Sequence, residues 1–421
     1  MALGQVSVSV FLCLVSIVFC PASQLPTRGL WVQFERRGWA SGYWPGQVIQ
    51  QLNDFDPVVG HTVSEEVALQ LDAMRAMGVN TITIELRTAD QDDNHTFPTC
   101  HLNPVLGFQW PQPTATELAN LPQLFDLVQS RGMKVILVLV NTHMEEQPPT
   151  NSETWLSAIL NVVKNHPAFD FVVFNGDAHT VDTDGDGILD ACGGEAEPAL
   201  WLGATTIDAT YINWAINYAM SLGMPPIKLS AGTIVGDFFT DSQPPNQFAT
   251  DGHLWPSIVV MKEILDSIGV SNNQRLYALS FYQRRKCATA RGLPCVDASP
   301  PVWAQQTVQR VFSTIGWSTG ARVVVYEMGD SPPVEPTWTT TQAIQSLVRL
   351  MAEYGVDGGS FWRWTSFENS EDQDPTLAQP IKLRGADFNY TPAKAVLECY
   401  YTGACRLQPR IRARPTPARR P

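Results

Sequence analysis

The sequence predicts an α/β protein built on a single (β/α)8 TIM barrel. Eight short apolar segments, rich in Val, Ile and aromatic residues, recur along the 421-residue chain. Several of them lack a clean alternation of apolar and polar residues, as is typical of parallel strands that are buried on both faces. Longer segments with helical periodicity separate them, which favours parallel βαβ units that close into a barrel. An open doubly wound sheet is the alternative, but it normally has a Gly-rich phosphate turn after its first strand, and WVQFERRGWASGYW contains none.

The predicted elements alternate from residue 25 to residue 405, and we assign this whole range to one barrel domain. The predicted strands are 29–35, 80–87, 134–141, 169–175, 227–235, 275–283, 322–329 and 358–364. The predicted helices are 64–78, 116–132, 152–166, 208–223, 255–269, 301–316 and 340–355. Most of these helices end in glycine, which is a common C-terminal signal.

Both ends of the chain are predicted to lie outside the barrel. Residues 8–20 are apolar and uncharged, so residues 1–22 resemble a signal peptide and indicate a secreted protein. A periplasmic or lipid-anchored form is the alternative. No later segment is apolar for ~20 residues, so we expect no stable insertion into a membrane. Residues 406–421 contain six arginines and no acid, which predicts a disordered tail.

The cysteines and the net charge narrow the class of protein further. Two of the eight cysteines fall in the predicted signal peptide, and the six that remain predict disulfides in a secreted chain. Short separations favour the pairs Cys287–Cys295 and Cys399–Cys405, which leaves Cys100–Cys192 as a long-range pair, although other pairings stay open. A formal charge of −13 argues against nucleic acid as the main partner.

Polar and aromatic residues stand where several predicted strands end, which is the edge at which barrel enzymes hold their catalytic groups. Glu327 ends the seventh strand, Trp362 the eighth and Tyr282 the sixth. A tryptophan at this edge can form a floor beneath a sugar ring, and a tyrosine can hydrogen-bond a carboxylate nucleophile. The structural alternative is an acid paired with arginine and two aromatic residues that cap the barrel.

These strand ends resemble those of the clan A glycoside hydrolases, most closely the family 5 cellulases and mannanases. The similar segments are Glu-Met-Gly at 327–329, Phe-Trp-Arg-Trp at 361–364, Phe-Tyr at 281–282 and Gly-Val-Asn-Thr at 78–81. The resemblance implies a retaining glycosidase that acts on a β-linked polysaccharide, with Glu327 as the nucleophile and Tyr282 beside it.

The fourth strand departs from the family pattern. In the family this strand ends in Asn-Glu, and the Glu is the general acid/base, whereas here Asn175 is followed by Gly176 and Asp177. We expect Asp177 to supply the acid/base and Asn175 to orient it, with Glu85 and then Asp237 as the next candidates. A retaining mechanism needs carboxyl groups ~5–5.5 Å apart, whereas ~6.5–9.5 Å favours inversion.

The second strand departs as well. The arginine that supports the nucleophile in the family aligns with Thr83, and Arg87 lies four residues further on. The residues that we expect to bind substrate are Trp362, Arg87, Glu85, His143 and Asp237.

An acidic run after the fourth strand has the spacing of a calcium loop. Within residues 182–190 carboxylates occupy positions 1, 3, 5 and 9, Gly187 takes the bend at position 6, and Ile188 stands at position 7. Position 12 is Gly193 and no helix pair flanks the run, so it resembles a thrombospondin type 3 repeat more than an EF-hand. We predict that residues 182–197 form an insertion with a structural Ca²⁺, the alternative being a solvated acidic loop. The predicted ligands are Asp182, Asp184, Asp186, Ile188 and Asp190.

The sequence as a whole predicts a secreted, monomeric glycoside hydrolase for cellulose-like, glucan-like or mannan-like substrates, with calcium and no organic cofactor. One rival is a carbohydrate-binding protein on a glycosidase barrel that has lost its catalytic acid. Another is a barrel enzyme of a different class, such as an esterase or lyase, although no GxSxG motif or zinc-binding spacing occurs.

Overall fold

The structure confirms the predicted fold class. This computed structural model describes residues 25–34, 45–87, 112–140, 152–174, 202–235, 256–283, 315, 320–330, 340–361, 364 and 392–405. Within these ranges eight parallel strands form a closed barrel in the order β1-β8-β7-β6-β5-β4-β3-β2. The strands are β1 Thr27–Trp31, β2 Thr81–Arg87, β3 Lys134–Val140, β4 Phe169–Phe174, β5 Leu229–Val235, β6 Leu276–Gln283, β7 Arg322–Asp330 and β8 Gly358–Phe361.

Helices follow the strands along the chain. Those in the described ranges are α1 Pro45–Gln51, α2 Val63–Ala76, α3 Ala115–Gln129, α4 Ser152–Val163, α5 Leu202–Ser221, α6 Pro256–Ser267, α7 Thr340–Tyr354 and α8 Pro392–Tyr401. The sequence prediction missed α1 and α8. Helix α1 has only seven residues, with Pro and Gly at its start and no charged residue in its end turns, so its local signal is weak.

Two helices begin slightly earlier than predicted because a threonine caps each of them. The Thr62 hydroxyl accepts from the Glu65 amide (3.3 Å), and the Glu65 carboxylate accepts from the Thr62 amide (2.7 Å). Thr114 and Glu117 form the same capping box at the start of α3. The helix starts therefore follow from the Thr-x-x-Glu pattern.

The buried residues fall into two layers. An inner cluster fills the barrel, and an outer layer packs between the strands and the helices. The inner cluster consists of Ile136, Val138, Phe171, Val173, Leu276, Ala278, Val324 and Tyr326. Alternate strand residues such as Val135, Leu137 and Val325 belong to the outer layer. Strands that bury both faces explain the continuous apolar runs in the sequence.

Helix α8 covers the seam where the last strand meets the first. The Tyr401 hydroxyl donates to the carbonyl of Gly29 on β1 (3.0 Å) and lies 3.3 Å from the carbonyl of Gly359 on β8. A disulfide joins Cys399 to Cys405 at the end of this helix, with a Cα–Cα distance of 5.0 Å. The other four predicted disulfide cysteines, the predicted signal peptide and the basic tail lie outside the described residues.

Candidate active site

The C-terminal ends of the parallel strands meet at one rim of the barrel, where Glu327 lies on β7. Its orientation depends on an irregularity in β7. On β6, Leu279 pairs with Val325 while the next residue, Ser280, pairs with Glu327, so Tyr326 is an extra residue. On the other side Gly359 of β8 pairs with Val325 and Phe361 with Met328, so the one residue between them on β8 faces two residues of β7. Strand β7 therefore bulges at Tyr326 relative to both neighbours.

The bulge decides which face of the sheet Glu327 occupies. Tyr326 belongs to the inner cluster, so strict alternation would turn the next residue outward. Instead Glu327 is in register with Ser280, which shares the inner face of β6 with Leu276 and Ala278. Met328 then returns to the outer layer. The Glu327 side chain therefore lies on the inner face at the rim, and the residue is partly exposed among the described residues.

Thr83 lies inside the barrel at the position that the resemblance aligns with a supporting arginine. Its hydroxyl donates to Ser360 Oγ on β8 (2.7 Å) and lies 3.3 Å from the carbonyl oxygen of Tyr326. All three residues are fully buried. Thr83 therefore contacts the backbone immediately before Glu327.

Glu85 is a second carboxylate on the inner face near this rim. It alternates with Thr81 and Thr83 along β2, while Ile82 and Ile84 pack in the outer layer. Glu85 is buried and stands one inward position, roughly 6.6–6.8 Å of strand rise, beyond Thr83. Arg87 ends β2, and its side chain lies outside the described residues. Glu85 on β2 and Glu327 on β7 therefore both lie on the C-terminal side of the contact between Thr83 and Tyr326.

Trp31 and Gln33 also occupy the inner face near the rim, and the sequence interpretation missed them. Leu30 and Val32 pack in the outer layer, so alternation turns Trp31, the last residue of β1, and Gln33, two residues further on, inward. Trp31 pairs with Thr83 of β2. The Trp31 and Gln33 side chains are both buried. The signal that identifies them in the sequence is the alternation of Trp31 and Gln33 with the apolar residues Leu30, Val32 and Phe34.

A buried hydrogen-bond chain attaches α2 to the chain segment after β8. His61 Nε2 lies 2.8 Å from the Glu66 carboxylate, and Gln70 donates to that carboxylate (2.9 Å). Trp364 Nε1 donates to Gln70 (3.2 Å), and the Trp364 amide donates to the carbonyl of Trp31 (2.9 Å). Strand β8 spans Gly358–Phe361, whereas it was predicted to reach 364, and Trp364 is held by hydrogen bonds at both its indole and its amide.

Several predicted site residues lie outside the described residues. For Tyr282 the structure describes only the backbone, near the end of β6. The others are Asn175, Asp177, His143, Asp237, Trp362 and the predicted calcium ligands Asp182, Asp184, Asp186, Ile188 and Asp190. Among the residues that are described, no group of three or more His, Cys, Asp or Glu side chains could hold a metal ion. None of the described helices is long and apolar enough to cross a membrane.

Solved structures with a similar fold include several sugar-cleaving barrels. A GH5_18 protein from Bifidobacterium longum subsp. longum, in complex with Manβ1-4GlcNAc, superposes with a TM-score of 0.54 at 11% identity, over 89% of this chain and 78% of its own. A GH5_18 protein from Bifidobacterium longum subsp. infantis gives 0.53 at 10% identity, over 91% and 80%. An exo-β-1,4-mannosidase from Opitutaceae bacterium strain TAV5 gives 0.52 at 11% identity, over 91% of this chain.

These likenesses concern the fold. The chain spans 60% of the length of the mannosidase. No protein-family model matches the sequence, and no curated protein is significantly similar to it. The expected resemblance to the barrels of clan A glycoside hydrolases is therefore confirmed as a likeness of fold.

Proposed function

We propose that this chain is a secreted glycoside hydrolase of family 5 type that cleaves a β-linked polysaccharide or oligosaccharide. The observation that carries the proposal is the position of Glu327. This carboxylate ends the seventh strand, a bulge turns it to the inner face, and it remains partly exposed at the rim. The resemblance assigns the nucleophile to this position.

The proposed mechanism is retaining. Glu327 attacks the anomeric carbon and forms a glycosyl ester while an acid protonates the leaving oxygen. The same group, as base, then deprotonates the water that hydrolyses the ester. We assign the acid/base to Asp177, the orienting contacts to Tyr282 and Asn175, and the sugar platform to Trp362.

Glu85 is the alternative acid, since it is the other carboxylate that the described strands carry on the inner face near Glu327. In the proposal Arg87, His143 and Asp237 bind substrate, and the loop at residues 182–197 holds Ca²⁺ as a structural ion.

β-Linked mannosides are the first substrates to test. One protein with a similar fold is named an exo-β-1,4-mannosidase. Another was solved in complex with Manβ1-4GlcNAc. β-Glucans and xylans come next, because the resemblance covers cellulases as well as mannanases.

A carbohydrate-binding protein without catalytic activity is the second candidate. The observation in its favour is Gly176, which stands where the resemblance expects the catalytic Glu after Asn175. Such a protein would bind glycans with or without an intact Glu327.

The deciding experiment measures hydrolysis of mannan, β-glucan, xylan, chitin and aryl β-glycosides. The variants are Glu327→Gln, Asp177→Asn and Glu85→Gln, with Glu263→Gln, an exposed carboxylate of α6, as the matched control. Loss of acid/base assistance lowers the rate by about 10²–10⁴-fold, and by less on an aryl glycoside whose leaving group needs little protonation. We expect Glu327→Gln to abolish turnover of both kinds of substrate and Glu263→Gln to change neither.

The remaining outcomes separate the candidates. Full activity of Glu327→Gln would contradict the proposed nucleophile. If Glu85→Gln loses hydrolysis of natural glycans but keeps that of aryl glycosides, and Asp177→Asn shows no such loss, the acid/base role belongs to Glu85 on β2. Glycan binding without turnover by the unmutated protein would favour the non-catalytic candidate.

A further inference from the structure

The backbone that carries Glu327 is contacted from a strand that is not its neighbour. Thr83 lies on β2, which β1 and β8 separate from β7 in the barrel order. Its hydroxyl nevertheless lies 3.3 Å from the carbonyl oxygen of Tyr326, the extra residue of the bulge, and 2.7 Å from Ser360 Oγ. The Thr83 hydroxyl therefore reaches this buried carbonyl from across the barrel, with its one proton shared between the carbonyl and Ser360 Oγ.

Two glycines make room for this arrangement. A Cβ on Gly29 of β1 would lie 2.1 Å from Ser360 Oγ, so a larger residue there would displace the serine. A Cβ on Gly359 of β8 would lie 2.2 Å from the carbonyl oxygen of Val325, the residue before the bulge. Strand β8 therefore approaches β7 closely at the bulge, and Ser360 is held between β1 and Thr83.

We propose that Thr83 and Ser360 are positioning residues for Glu327. Through the Tyr326 carbonyl they hold the bulge that turns the Glu327 carboxylate to the inner face, and they make no contact with substrate. The inference rests on the proposed function, since it gives the bulge a role in catalysis. A hydroxyl pair here holds the peptide backbone of the nucleophile at the position where the resemblance expects an arginine.

The test compares variants of this pair with a buried hydroxyl elsewhere in the barrel. Thr83→Val keeps the shape of the side chain and removes its hydroxyl, Thr83→Ser retains the hydroxyl, and Ser360→Ala removes one atom. Ser230→Ala is the matched control, because the Ser230 hydroxyl on β5 is also fully buried, accepts from the Ala278 amide (2.9 Å) and donates to the Ala231 carbonyl (3.1 Å). For each variant we would measure kcat, KM, urea unfolding and hydrogen exchange at the amides of residues 326–328.

A positioning role and a purely structural role give different results. We expect Thr83→Val and Ser360→Ala to lower kcat about 10–100-fold, the usual cost of losing a residue that orients a reacting group, with KM within about twofold. Thr83→Ser should restore most of kcat, and Ser230→Ala should lose stability but keep kcat. Amide exchange at residues 326–328 should be faster in Thr83→Val than in Ser230→Ala. If Thr83→Val does not fold, Ser360→Ala carries the same test.

A kcat in Thr83→Val or Ser360→Ala that matches that of Ser230→Ala would overturn the inference. Should the unmutated protein hydrolyse no glycan, the proposed function fails, and hydrogen exchange still decides whether the brace exists. Faster exchange at residues 326–328 in Thr83→Val would then support the brace, and unchanged exchange would refute it.

Discussion

Arg322 and Asp170 are joined by two parallel hydrogen bonds, Nη1–Oδ1 at 2.9 Å and Nη2–Oδ2 at 2.8 Å. They stand near the N-terminal ends of β7 and β4, which are not neighbours, so the pair spans the end of the barrel opposite Glu327. Arg322 Nε also donates to Asp357 (2.9 Å). Burial opposes the guanidinium charge, but the hydrogen bonds and charges of both aspartates outweigh it and raise the pKa of Arg322. This end of the barrel serves stability, whereas the opposite end carries the candidate site.

Arg322→Met should destabilise the fold without lowering the activity of the folded protein. Removing one partner of a fully buried pair costs about 3–5 kcal/mol. Both side chains here are about one-fifth exposed (22% and 21%), so we expect roughly 2–4 kcal/mol. Urea unfolding measures the loss, and kcat of the folded fraction checks that the site is intact.

Arg131→Met is the matched control. Arg131 makes the same paired contacts with Asp72 (2.8 and 2.9 Å), but the Asp72 side chain is 59% exposed. An exposed pair contributes about 0–1 kcal/mol. Equal losses in the two variants would contradict the idea that burial gives the Arg322 pair its value.

Ionisation of Tyr401 should make the protein less stable at alkaline pH. Burial raises the pKa of its phenol, and the nearby Arg28 charge and the hydrogen bond to Gly29 offset this only in part. Because the folded-state pKa lies above the unfolded value of about 10, the unfolded chain loses the proton first. The contribution of the Tyr401 phenol to the free energy of unfolding is therefore complete below about pH 10, and it falls by about 1.4 kcal/mol per pH unit above that pH. Urea unfolding between about pH 8 and pH 11 measures this slope.

Tyr401→Phe should lower stability near neutral pH, because it removes a buried hydrogen bond worth about 0.5–1.5 kcal/mol, and should flatten the alkaline slope. Part of the slope should persist, since burial also raises the pKa of Tyr277. The same slope in Tyr401→Phe and in the unmutated protein would mean that Tyr401 does not titrate as its burial predicts.

Gly78→Ala should be more destabilising than the same change at Gly132. Each glycine follows a helix and has a positive φ, 86° and 70° respectively. A Cβ at position 78 would lie 2.8 Å from the carbonyl carbon of Tyr401, whereas nothing lies within 4 Å of one at position 132. We expect about 1–2 kcal/mol from the backbone conformation at both positions and a further ~1–3 kcal/mol from the collision at 78. Equal changes in Tm would show that α8 moves to make room.

Removing calcium should lower the melting temperature if residues 182–190 bind it. An ion present at 100 times its Kd stabilises the folded state by about 2.7 kcal/mol. A chelator should therefore lower Tm by several degrees, added Ca²⁺ should restore it, and Mg²⁺ should not, because an irregular all-protein site suits the larger ion. The double variant Asp184→Asn, Asp186→Asn should melt at the chelated temperature under both conditions. A melt that the chelator leaves unchanged would argue for a solvated loop.

The sequence alone determined the barrel and the place of Glu327 along the chain. Most strands were predicted as short apolar runs followed by a helical pattern, and such runs indicate parallel strands because both faces of these strands are buried. The seventh strand was predicted at 322–329 and observed at Arg322–Asp330. The capping boxes that start α2 and α3 are also visible in the sequence, since each needs only residues three positions apart, although both starts were predicted one residue late.

Only the tertiary structure decided which way Glu327 faces and what holds it there. The bulge at Tyr326 exists relative to β6 and β8, and the register between strands depends on packing that no local pattern records. The contact between Thr83 and Ser360 joins residues 277 positions apart. Such a contact arises only when the barrel closes and brings the side chains of distant strands together in its interior. For this reason the sequence could identify the candidate nucleophile but not the residues that brace it.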